Sequence, residues 1–102
     1  MVTIRVAEVA DEKLVAAYQR LTPQLSSSSP APTAGELTEI IRSDSATVLI
    51  AEDDKGDILG SMTLVLFRIP TGVRAWIEDV VVDSEARGMG IGQALNEYAI
   101  QM

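Results

Sequence analysis

A chain of 102 residues, 47% apolar and 23% charged, has the size and composition of one soluble globular domain with its own core, and leaves no second domain to place. It contains no cysteine and no histidine. That excludes a disulfide framework, thiolate metal sites and a cysteine nucleophile, and it removes the commonest general base and metal ligand. The net charge of −7 argues against nucleic acid, which is bound through clustered Lys and Arg, and favours an amine-bearing partner.

No run approaches the roughly 20 apolar residues of a membrane span. The opening Met1-Val2-Thr3-Ile4-Arg5 also lacks the basic, apolar, small-residue order of a signal peptide. A cytoplasmic protein without membrane contact is the expectation.

In chain order, residues 2–7 predict a first strand, with Val2, Ile4 and Val6 alternating against Thr3, Arg5 and Ala7. A helix follows, capped by Asp11, with Leu14, Tyr18 and Leu21 as its apolar stripe; Pro23 is expected to interrupt it. Residues 26–32, Ser-Ser-Ser-Ser-Pro-Ala-Pro, bury little and carry two prolines. They read as a surface loop, either a plain connector or a cleft wall. Thr33-Ala34-Gly35-Glu36 has the spacing of a capping box and predicts a short second helix through Leu37, Ile40 and Ile41.

From Thr47 the periodicity becomes that of a sheet. Residues 47–52 predict one strand, Asp53-Asp54-Lys55-Gly56-Asp57 a turn, and residues 58–68 the partner strand. Pro70-Thr71-Gly72 turns the chain into a third strand from about Val73. These form an antiparallel meander beside which the first strand can pair.

The third strand carries Trp76-Ile77-Glu78-Asp79-Val80-Val81-Val82 and runs through Asp83-Ser84-Glu85-Ala86 into Arg87-Gly88-Met89-Gly90-Ile91-Gly92 and a helix. A strand, a glycine-rich turn and a helix N-terminus together present unpaired N–H groups to an anion, and the helix dipole adds to the attraction. A Walker loop would need Lys and Ser or Thr after its last glycine, where Gln93 and Ala94 stand. A dinucleotide fingerprint would need glycine or alanine at Gln93 and parallel βαβ alternation. Two carboxylates, Glu78 and Asp79, are the acid–base candidates of the strand. Under regular alternation Glu78 shares a face with Trp76, Val80 and Val82, and Asp79 lies opposite; a bulge would swap these positions. Trp76 and Tyr98 read as packing residues.

The order strand, two helices, three meandering strands, glycine loop and helix resembles the GNAT family of N-acetyltransferases. Its loop pattern [QR]-x-x-G-x-[GA] is met by Arg87, Gly90 and Gly92 after the apolar strand. The resemblance implies an α+β (α/β) domain, the acyl-CoA N-acyltransferase (GNAT) fold, with order β-α-α-β-β-β-α and a mainly antiparallel sheet. It implies acetyl-coenzyme A as cosubstrate, no metal, and direct acetyl transfer to an amine of a small molecule or peptide.

It also implies roles by position. Backbone amides of Arg87, Gly88, Met89, Gly90, Ile91 and Gly92 hold the pyrophosphate, and backbone groups near Val80 and Val82 pair with the pantetheine arm. The amide near Val80 polarises the thioester carbonyl, and Glu78, with Asp79 as runner-up, takes the proton from the amine. Family members continue after this helix into a fifth strand, another helix and a strand pair. Residues 1–102 are therefore expected to be a single domain incomplete at its C-terminus. The favoured reading is a fragment of a longer enzyme. The alternative is a non-catalytic, coenzyme A-binding or regulatory half-domain that forms a homodimer, or pairs with another chain, through the open edge at residues 80–82.

Overall fold

The computed structural model describes residues 2–101. Strand β1 is Thr3–Val6, helix α1 Glu12–Leu25, helix α2 Ala34–Arg42, strand β2 Ala46–Glu52, strand β3 Ile58–Ile69, strand β4 Gly72–Val82 and helix α3 Ile91–Ile100. The strands form one antiparallel sheet in the order β1-β2-β3-β4. This is the expected α+β order with the first strand beside the meander. No helix among the described residues is long and apolar enough to cross a membrane.

Local chemistry accounts for the element boundaries. Asp11 accepts the Leu14 N–H at 2.9 Å to start α1, and Thr33 and Glu36 exchange both bonds of a capping box at the start of α2. The β2–β3 turn closes on Asp53, whose Oδ1 accepts the N–H groups of Lys55 and Asp57, each at 2.9 Å. One expectation fails: α1 passes through Pro23 and ends at Leu25. Pro23 lies in the last turn, so the helix forgoes only the bond its missing N–H would have made. The Ser26 N–H still reaches Thr22 O at 2.9 Å.

The sheet separates two apolar layers, because alternate strand residues face opposite sides. On one side Val48 and Ile50 of β2 and Val81 of β4 pack under Leu14 and Leu21 of α1 and Leu37 of α2. On the other, Leu49, Met62 and Leu64 pack under Ile91 and Leu95 of α3. Gly60 permits the second packing, since a Cβ there would stand 3.0 Å from Val81 O and 3.1 Å from Ile91 Cγ2. The sheet and the two helical layers thus bring the end of β4, the loop after it and the C-terminal half of α1 to one end of the molecule.

Candidate active site

The glycine loop begins at a rigid foot. Asp83 is buried, its N–H donates to Leu59 O at 2.8 Å, and its side chain accepts the Glu85 N–H at 3.1 Å. From α1, Arg20 Nε donates to Asp83 Oδ2 at 2.9 Å, Arg20 also donates to Ile58 O, and Gln24 accepts the Ser84 N–H at 2.7 Å. The Glu85 amide, followed by Arg20, holds the Asp83 carboxyl below its ordinary range despite burial. Helix α1 is thereby tied to the base of the loop, a connection the sequence pattern did not reveal.

Beyond a short 3-10 turn, Ser84–Ala86, the chain reaches Gly88 at φ +90° and Gly90 at φ +75°. Nothing lies within 4 Å of a Cβ built at either position. Backbone conformation, not crowding, demands glycine there. Gly90 is the N-cap of α3 and its carbonyl accepts the Ala94 N–H at 3.0 Å. Among the described residues, no N–H from 88 to 93 donates to a protein acceptor. Arg87 and Met89 are exposed beside this run of free donors.

Strand β4 does not alternate regularly. Its register against β3 shifts between Ser61 and Thr63, so that Ser61 faces Val81, Thr63 faces Glu78, and Asp79 and Val80 share the place opposite Met62. Asp79 adopts φ +51°, the left-handed region that Asp tolerates better than most residues. This is a β-bulge. The expected face assignment is therefore corrected. Trp76 and Glu78 share the α1–α2 side with Val81, not with Val82, and Asp79 lines a cleft on that same side. Val82 lies against the α3 layer. Because Asp83 N–H points inward to β3, strand alternation turns the Val82 N–H and C=O toward the outer edge of the sheet.

The cleft has a volume of about 470 Å³. It lies between the C-terminal half of α1, the serine–proline segment, α2 and the sheet, with Thr63, Val81 and Asp79 on its sheet wall. Of the two readings of the serine–proline segment, the cleft wall matches this geometry. Tyr18 lines the cleft and its hydroxyl shares a hydrogen bond with the buried Ser61 hydroxyl. Burial raises the Tyr18 pKa, and the Asp79 charge adds to the rise while Ser61 opposes it, so the Tyr18 hydroxyl stays neutral. Sequence periodicity marked Tyr18 only as part of an apolar stripe. Glu78 accepts a bond from the indole N–H of Trp76, which is 57% exposed, outside the cleft. Among the described residues Trp76 does not take the packing role expected of it, since it is more than half exposed. Tyr98, also expected to pack, is half-exposed near Arg5 and Val9 at the β1 end.

A sequence model of the Acetyltransferase (GNAT) family matches residues 13–102. Comparison with curated proteins gave no match. Among solved structures, an acetyltransferase of Trypanosoma brucei superposes with a TM-score of 0.77 at 27% identity, covering 99% of this chain and 73% of that one. A transcriptional regulator of Bacillus halodurans C-125 superposes at 0.79 with 26% identity over 99% and 73% of the two chains. Glucosamine-6-phosphate N-acetyltransferase of Arabidopsis thaliana gives 0.76 at 24% identity, again over 99% and 73%, a likeness of fold. With its loop, element order and nearly its whole length accounted for in this way, the chain belongs to the GNAT family of acetyltransferases.

Proposed function

We propose that the protein transfers an acetyl group from acetyl-coenzyme A directly to an amine. The observation that carries this reading is the run of N–H groups from 88 to 93, free of protein acceptors and opened by two left-handed glycines at the start of α3. Such a cradle fits a pyrophosphate, and Arg87, exposed at its rim, adds positive charge. The outward backbone groups of Val82 suit an extended arm laid along the β4 edge. The coenzyme supplies the acetyl group as an activated thioester.

The chain's own residues act on the acceptor. The ammonium gives its proton to a carboxylate, directly or through water, because only the neutral amine is nucleophilic. Asp79 is favoured for this role by its place in the cleft, while Glu78, one residue away, is engaged by Trp76. The bulge amide at Val80 is the donor assigned to the thioester oxygen as negative charge develops there. As the acceptor nitrogen forms the new C–N bond, the C–S bond breaks and the sulfur leaves with the electron pair. The products are an N-acetyl amine, the coenzyme thiol and one proton released to solvent.

The test is calorimetric titration of acetyl-coenzyme A into the wild type and Gly90→Val, with circular dichroism confirming that both are folded. Saturable binding by the wild type alone supports the reading, and equal binding by the variant overturns the loop assignment. Coenzyme binding without acetylation of any amine in a broad panel would leave a coenzyme-binding module in place of an enzyme.

A further inference from the structure

We infer that the acceptor is a primary amine carried on a compact, largely apolar body, bearing one positive charge and no phosphate. This rests on the acetyltransferase reading and narrows it to a substrate class. The cleft's 470 Å³ lies within the range of about 300–1,000 Å³ typical of small-molecule sites. Its walls are mainly apolar, with Leu37 and Ile40 of α2, Val48 and Val81 of the sheet and Pro30 and Pro32 of the connecting segment, and a few hydroxyls among them. Asp79 is the one charged residue among the described residues that line it.

That composition discriminates among amines. A single carboxylate against apolar walls matches one ammonium group on an apolar scaffold. A second ammonium, as in a polyamine, would be desolvated against Leu37 and Val48 with no second carboxylate to meet it among the described lining residues. A sugar phosphate needs cationic donors, and among the described residues neither Lys nor Arg lines the cleft. The left-handed bulge is what brings the carboxylate to this place: without the extra residue, regular alternation would turn Asp79 to the opposite face. Strain of this kind is retained where a surrounding site makes use of it.

The experiment titrates the full chain, by ¹H–¹⁵N NMR, with 2-phenylethylamine, its neutral counterpart 2-phenylethanol, spermidine and glucosamine 6-phosphate. Phenylethylamine should bind at least about tenfold more tightly than each of the others, the size of one charge-assisted hydrogen bond. Shifts should centre on the amides of Tyr18, Leu37 and Asp79. In Asp79→Asn the advantage of the amine over the alcohol should disappear, and asparagine accepts the left-handed backbone as readily as aspartate, so the variant folds. Spermidine or glucosamine 6-phosphate binding as tightly, or an amine preference that survives Asp79→Asn, overturns the assignment. A parallel incubation with acetyl-coenzyme A, read by product mass, separates the two readings. Preferred acetylation of glucosamine 6-phosphate refutes the apolar class and leaves the transferase standing. Asp79-dependent amine binding with no coenzyme binding and no product supports the class and refutes the transferase.

Discussion

Arg20 of α1 and Asp83 at the end of β4 form an ion pair of 2.9 Å between residues 63 positions apart, and it fixes the foot of the glycine loop to the opposite helical layer. Asp83 also caps the 3-10 turn through the Glu85 N–H. Removing the carboxylate charge therefore loosens the loop and the α1–β4 contact together. Asp83→Asn should lower stability by about 1–3 kcal/mol, the range for losing charged hydrogen bonds at a buried site. Arg20→Ala should cost less, because the guanidinium is about half exposed and exposed pairs contribute only about 0–1 kcal/mol. Urea denaturation of the two variants measures the difference, and equal small effects would argue against Asp83 as the anchor.

Stability should fall on the acid side for a related reason. The folded-state pKa values of Asp83 and Glu52 are both depressed, the first chiefly by the Glu85 amide and the second by Arg5 and then Lys13. A depressed carboxylate contributes stability that is fully present above its ordinary value, 3.8 for Asp83 and 4.5 for Glu52. That contribution is lost as pH falls from there through the folded-state values. Melting temperature should be flat from neutral pH down to that window and drop below it. Asp83→Asn should show a shallower drop.

The glycines separate by mechanism. Gly92 lies within α3 and a Cβ there would meet Val82 Cγ2 at an ordinary 3.8 Å, so Gly92→Ala should stabilise the fold by about 0.5–1 kcal/mol. Gly90→Ala must place a side chain at φ +75° and should cost about 1–2 kcal/mol. Gly60→Val meets backbone at 3.0 Å and should cost more, by overpacking, in the range of about 1–3 kcal/mol or above. Any coenzyme affinity lost in the stable Gly92→Ala is then attributable to closer crowding of the ligand, which calorimetry would detect.

The carboxylates of β4 should divide in kinetics as they do in space. Asp79→Asn should reduce kcat/KM for a transferred amine about 10²-fold or more, as expected for loss of a general base. Glu78→Gln, which keeps an oxygen to accept the Trp76 indole N–H and removes only the charge beside it, should have a smaller effect. It should instead alter the emission of Trp76, the chain's single tryptophan. A larger kinetic loss in Glu78→Gln would return the base to Glu78.

The sequence by itself determined the features that depend on neighbouring residues. Asp11 and the Thr33–Glu36 box start their helices because capping is settled within one turn. The glycines of the loop are legible because φ > 0 is a property of the residue that adopts it. Pro23 does not end α1 because a proline's cost depends on how many helical bonds remain beyond it, and here almost none do. The site's side chains were decided only in three dimensions. Whether Glu78 or Asp79 enters the cleft turns on a one-residue slip between β3 and β4, and a slip of one reverses every face after it. The Tyr18–Ser61 and Arg20–Asp83 contacts join residues 43 and 63 positions apart. Periodicity assigns a residue to a face, but only the packing of α1 across the sheet selects which polar atom each side chain meets.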